Sequence, residues 1–128
     1  KNAIVFAESA VKSNPQKSFF YQKLADFYFE TKEYQKAVEY MKIAVKLDPT
    51  NLVYYKNLIL GYSNLKEFDK AINLIFEALK VSPNNPELLR GLMILYYQKG
   101  EKQNALIYAN KYILQGGKVD RQFYESLK

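Results

Sequence analysis

A chain of 128 residues with 19 Lys and Arg against 13 Asp and Glu, net charge +6, is long enough for one compact domain or a short repeat array, but not for two independent cores. A hydrophobic fraction of 48% with 25% charged residues excludes a disordered chain. The lack of both Cys and His removes disulfides, thiolate chemistry, the commonest general base and the commonest zinc ligand.

In chain order, residues 1–17 read as one amphipathic helix closed by Pro15. Residues 18–51 read as two helices. Tyr21, Leu24, Ala25 and Tyr28 fall at i, i+3, i+4, i+7, and so do Tyr34, Ala37, Val38, Met41, Ala44 and Val45. Thr31-Lys32-Glu33 leaves room only for a tight turn, which makes the two helices antiparallel neighbours. Pro49 ends the second helix, since its ring pushes Asp48 out of the α region. Residues 52–85 repeat this plan through Tyr55, Leu58, Tyr62, Ala71, Ile75 and Pro83, with the turn at Leu65-Lys66-Glu67. Residues 86–119 form a weaker third copy, entered through Asn85 as cap and Pro86 in the first turn. Residues 120–128 begin a further one, with Phe123 in the column of Tyr21 and Tyr55.

The spacing is regular. Pro15, Pro49 and Pro83 stand 34 residues apart, and the same step relates Ala3, Ala37, Ala71 and Ala105, then Leu24, Leu58 and Leu92, then Tyr28, Tyr62 and Tyr96. Small residues recur where two helix axes must approach closely. These residues resemble the tetratricopeptide repeat, with its 34-residue period and W-x-x-L-G-x-x-Y…A-x-x-x-F…P pattern, read here as Tyr21, Leu24, Ala25, Tyr28, Ala37, Met41 and Pro49. The resemblance covers essentially the whole chain. It implies an all-α fold, an α-solenoid winding as a right-handed superhelix of antiparallel helix-turn-helix hairpins. In this frame residues 1–17 are the second helix of a truncated repeat and residues 120–128 the first helix of another, so the native protein is expected to continue beyond both ends.

The third copy departs from the pattern. Tyr112 replaces Ala44 and Ala78 while Ala109 stands where Met41 and Ile75 stood, a compensating exchange of volume, and Gly116-Gly117 replaces the prolyl stop. If the first two turns require a left-handed residue, Lys32 and Lys66 each cost about 1 kcal/mol.

In a solenoid of this kind the first helices line a concave groove, which is where a partner is expected. Opposite the core stripe lie Phe19, Gln22, Asp26, Phe29 and Glu30; then Val53, Lys56, Asn57, Leu60 and Asn64; then Arg90, Ile94 and Tyr97; then Arg121 and Tyr124. A solvated wall would be polar, so the recurring apolar side chains point to capture of a peptide or helix. Acids at Asp26 and Glu30, with Lys56, Arg90 and Arg121 further along, suit a ligand with apolar anchors and acidic groups toward the basic end. Relatives that clamp a chaperone's terminal carboxylate use Lys, Asn and Arg at set columns. Only Asn57 matches, and Gln22, Asp26, Glu87 and Gly91 fill the others, so that clamp is not expected.

The reading is therefore a scaffold for another protein or peptide, with no catalytic, cofactor or metal residues. Self-association is the second reading, because truncated ends would expose Ile4 and Phe6 at one end and Phe123 and Leu127 at the other. Nucleic acid is disfavoured, since there are just two Arg and lysines such as Lys36, Lys42 and Lys111 lie on second helices. No insertion into a membrane is expected of this segment, the most apolar run, Leu88 to Tyr97, being short and interrupted by Arg90. Neither partner nor compartment is legible.

Overall fold

A computed structural model describes residues 2–128, with Asn2 described by its backbone alone; Lys1, which opens the expected segment 1–17, lies outside them. The described residues form eight helices and no strand: α1 (Asn2–Ser13), α2 (Ser18–Glu30), α3 (Tyr34–Leu47), α4 (Leu52–Asn64), α5 (Phe68–Val81), α6 (Pro86–Gln98), α7 (Lys102–Leu114) and α8 (Arg121–Ser126). None of them is long and apolar enough to cross a membrane. Length allows one compact domain or a short repeat array but not two independent cores, and the chain divides into two compact units, one running to Glu67 and holding α1 to α4, the other Phe68–Lys128 holding α5 to α8. A repeat array has no common centre, because each helix packs chiefly on its sequence neighbours.

The helix boundaries follow from backbone chemistry that recurs along the chain. The residues after α2, α4 and α6 include one with positive φ, namely Lys32 at 62°, Lys66 at 60° and Gly100 at 84°. At each, the next residue donates its N–H five positions back, Glu33 to Tyr28 O at 2.8 Å, Glu67 to Tyr62 O at 3.0 Å and Glu101 to Tyr96 O at 2.9 Å. This is the Schellman closure, which satisfies carbonyls that the helix end would otherwise orphan. Gly116, φ 91°, ends α7 the same way, with Gly117 N–H reaching Tyr112 O at 2.9 Å. Helix entries use side chains instead. Asn51 accepts from the N–H groups of Val53 and Tyr54, Asn85 from Glu87 and Leu88, and Asp120 from Phe123.

The left-handed turns carry a direct test. Lys66→Gly relieves a side chain held at positive φ and is expected to raise stability by about 0.5 kcal/mol, whereas Gly100→Ala lowers it by about 1 kcal/mol. A Cβ on Gly100 meets nothing within 4 Å, so any loss there comes from the backbone alone. Equal midpoints of urea unfolding for Gly100→Ala and the parent chain would contradict this account.

In the first unit, α2 packs on α3 through the expected stripe. Leu24, Ala25, Ala37, Val38, Met41 and Ala44 are all at most 2% exposed. The alanines let the axes close, and Tyr40 then fits between two rings of α2, stacked 5.7 Å from Tyr28 and 6.5 Å from Tyr21. The Tyr21 hydroxyl donates to Pro15 O at 3.0 Å, tying the loop before α2 to the helix it feeds.

The second unit repeats the device with Tyr108 stacked 5.6 Å from Tyr96. Lys99, just past α6, bonds Asp69 of α5 and sits 2.9 Å from Glu101, contacts that hold its ammonium well above the usual lysine range and the Glu101 carboxyl below its own. Met93, Ala105, Ala109 and Leu127 form one buried cluster, with Phe123 and Tyr124 packed against it. The Tyr112 ring packs on Gly117, where an added Cβ would lie 2.4 Å from it.

Candidate functional site

The first-helix face expected to meet a partner falls in both units, and each part is described separately. In the first unit α2 and α4 lie side by side, joined by the Ser18 and Tyr54 hydroxyls at 3.2 Å and by the Phe29 ring against Gly61. Because their residues share a 34-residue step, Phe19 and Val53 hold equivalent positions on the two helices, as do Asp26 and Leu60. Phe19, Val53 and Leu60 are 52%, 54% and 53% exposed. Gln22, Lys56 and Asn57 are half-buried beside them, and Glu30 and Asn64 are exposed at the far end. The Asn64 side chain is engaged locally, donating to Leu60 O at 2.9 Å.

Phe29 behaves differently from the rest of the row. Its ring packs on Gly61 and, 6.2 Å between centroids, on Tyr34, so it joins α2 to α3 and α4 and offers a partner little of its surface. Lys23 lies over the Phe19 ring, 5.1 Å from its centroid, which leaves that ring open on one side only.

Asp26 has a shifted titration. Burial pushes its carboxyl up, opposed by Lys23 and assisted by Glu30. An acid whose folded pKa is raised binds its proton more tightly when folded, so its penalty is absent below the unfolded pKa and grows as pH rises through the folded one. Asp26→Asn is therefore expected to raise the thermal midpoint at neutral pH and leave it unchanged near pH ~3, where both forms are uncharged. Calorimetry at the two pH values checks the sign.

In the second unit the row breaks up. Arg90 and Arg121 are exposed and Tyr97 is 42% exposed, but its ring also meets Phe123 edge-on at 4.9 Å. Ile94 and Tyr124 pack against the buried cluster of α6, α7 and α8, and the Tyr124 hydroxyl donates to Asn110 of α7 at 2.6 Å. Tyr124 thus turns toward a second helix. Its spacing fixed its phase on α8, but the direction of so short a helix depends on where α7 lets it rest.

The expected apolar C-terminal edge needs correcting too. Leu127 is 2% exposed and Phe123 half-buried, because α8 lays both against the second unit's cluster. In the first unit Val5 is 63% and Phe6 76% exposed on α1. That helix forms one wall of an apolar cleft between α1 and α2, lined by Ala3, Phe6, Ala10, Phe19, Phe20 and Phe27 among others. Sequence reading placed Phe6 at a stacking end but missed the cleft, although Phe6 shares a column with Tyr40.

The family profile of the tetratricopeptide repeat matches residues 18–51, the segment that folds as α2 and α3. Residues 18–51 are a tetratricopeptide repeat. Solved structures extend the likeness of fold to most of the chain. One titled "Crystal structure of MamA" superposes with a TM-score of 0.82 at 23% identity, over 88% of this chain and 66% of that one. A second MamA structure gives 0.82 at 24% identity over 89% and 62%, and a third, "MamA AMB-1 P212121", 0.79 at 22% over 94% and 66%. The chain thus spans a little under two thirds of these proteins. A search of curated sequences returns no match.

Proposed function

We propose that the chain is a protein-interaction scaffold. In the first unit the faces of the first helices α2 and α4 hold an extended or helical segment of a partner protein. The observation that carries this reading is the exposure of Phe19 and Val53 at matching positions of α2 and α4, with Leu60 exposed two turns further along α4. Apolar side chains held on a rigid wall lose little freedom on binding, which favours affinity. Asp26 and Glu30 beside them suit a ligand with basic groups around its apolar anchors.

Leu60 is the cleanest probe, since its side chain is exposed while its backbone sits in the middle of α4. A partner recovered by affinity purification from the native cell is expected to lose at least tenfold in affinity toward Leu60→Glu, a loss in keeping with one buried anchor. Circular dichroism should stay unchanged. Undiminished binding by a variant carrying both Val53→Glu and Leu60→Glu would place the site elsewhere. Phe29→Glu is unsuitable for this purpose, because it breaks packing against Gly61 and Tyr34.

A further inference from the structure

Ile107 and Leu114 stand two turns apart on one face of α7 and are 49% and 82% exposed. Gln103, Asn110 and Lys111 share that face and are exposed with them. The 34-residue step shows what the same face carries in the two complete repeats before it. The column of Ile107 holds Glu39 and Asn73, and that of Leu114 holds Lys46 and Lys80, all exposed. Asn73 and Lys80 stay exposed although α6 and α7 follow them in the same unit, so a hairpin placed after α7 would leave Ile107 and Leu114 open as well. Their exposure belongs to the face and not to the end of the chain.

Leu114 also stands clear of its surroundings. It is the last residue of α7, Gly116 and Gly117 follow, and a Cβ on Gly116 would meet nothing within 4 Å. The charge near the pair is one-sided. Residues 102–119 hold three lysines and no acid, Lys111 lies between the two aliphatic side chains, and exposed Lys80 occupies the column of Leu114 on α5. The acids of α5 are Asp69, which Lys99 engages, and Glu77 in the column of Lys111.

We propose that this face of α7 adsorbs to a bilayer containing anionic phospholipid, with Ile107 and Leu114 seated just below the headgroups and Lys80, Lys111 and Lys118 against their negative charge. The observations select that occupant. Projecting aliphatic groups flanked by lysine fit a fluid, negatively charged surface, which needs no preformed recess. A polynucleotide would use the lysines but leave both aliphatic side chains in water. The net charge of +6, which the first-helix faces do not call for, acts in the same direction. Contact is peripheral, since none of the described helices crosses a bilayer. The inference does not rest on the partner-binding face proposed above.

The full chain is sedimented with vesicles of phosphatidylcholine carrying about 40% phosphatidylserine, a charge density at which each surface lysine adds to binding. Half of it is expected to pellet at about 1 mM accessible lipid, weaker than a single acyl anchor achieves. Pure phosphatidylcholine vesicles leave it in solution, and salt at about 0.5 M releases it, screening then acting within a few ångströms. Two substitutions that add the same charge separate anchor from field. Gln115→Lys tightens binding about twofold, whereas Leu114→Lys, which installs the side chain its column carries in α3 and α5, weakens it about threefold. Both positions are exposed, so the variants keep their fold, and circular dichroism verifies this. The proposal is overturned if Leu114→Lys binds as tightly as the parent chain or more tightly, which would leave charge attraction as the whole cause. Failure to pellet at about 5 mM lipid overturns it too. So does duplex DNA that, at equal phosphate concentration, draws the chain off the vesicles, which would make nucleic acid the occupant.

Discussion

Gly61→Leu is expected to destabilise the first unit by about 3 kcal/mol, the upper range for overpacking a closed contact. A Cβ at Gly61 lies 2.6 Å from Val38 Cγ2 and 3.4 Å from Phe29 Cζ, and Val38 is 2% exposed, with a stiff branched side chain that has nowhere to turn. Even alanine is informative. Helix propensity alone predicts a gain of about 1 kcal/mol from Gly→Ala in a helix interior. The close approach to Val38 reverses that sign, so Gly61→Ala should lower the denaturation midpoint, and adding Val38→Ala should recover part of the loss despite creating a cavity. Urea unfolding with an unchanged slope reads the difference. A midpoint raised by Gly61→Ala would mean that Val38 gives way freely.

Leu127→Ala should be nearly as costly, about 2 to 3 kcal/mol, although the residue lies next to the last of the chain. A helix of six residues has no stability of its own, and α8 is held by what it buries. Leu127 is 2% exposed against Met93, Ala105 and Ala109, and its removal leaves the shallower contacts of Phe123 and Tyr124. Hydrogen exchange should then show the amides of α8 losing protection while those of α6 keep theirs. Equal loss in α6 would mean that the whole unit depends on this one side chain.

The all-helical course was legible because its determinants are local. Pro49, Pro83 and Asn85 mark ends by what they do to their own backbone, and the stripe of Leu24, Ala37, Met41 and Ala44 reports one face of each helix. Lys32 and Lys66 were readable as left-handed positions only by analogy with Gly100, since nothing in a lysine announces positive φ. The candidate site was less legible. Periodicity gives the phase of Phe29, Ile94 and Tyr124 on their helices but not the height of the neighbouring wall, and that height decides whether a ring faces solvent or another helix. Gly61 lowers the wall so that Phe29 lies down on it, and α7 draws Tyr124 to Asn110. Leu60 and Val53 remain exposed as their spacing implies.

The parallel ring pairs Tyr28–Tyr40 and Tyr96–Tyr108, with interplanar angles of 4° and 10°, give this tryptophan-free protein a built-in optical gauge. Each couples two chromophores only while its helices are docked, so the near-ultraviolet dichroism of tyrosine reports side-chain order independently of helix content. Removing one hydroxyphenyl group from either pair assigns its share of the spectrum, and melting can then be followed unit by unit without any added label.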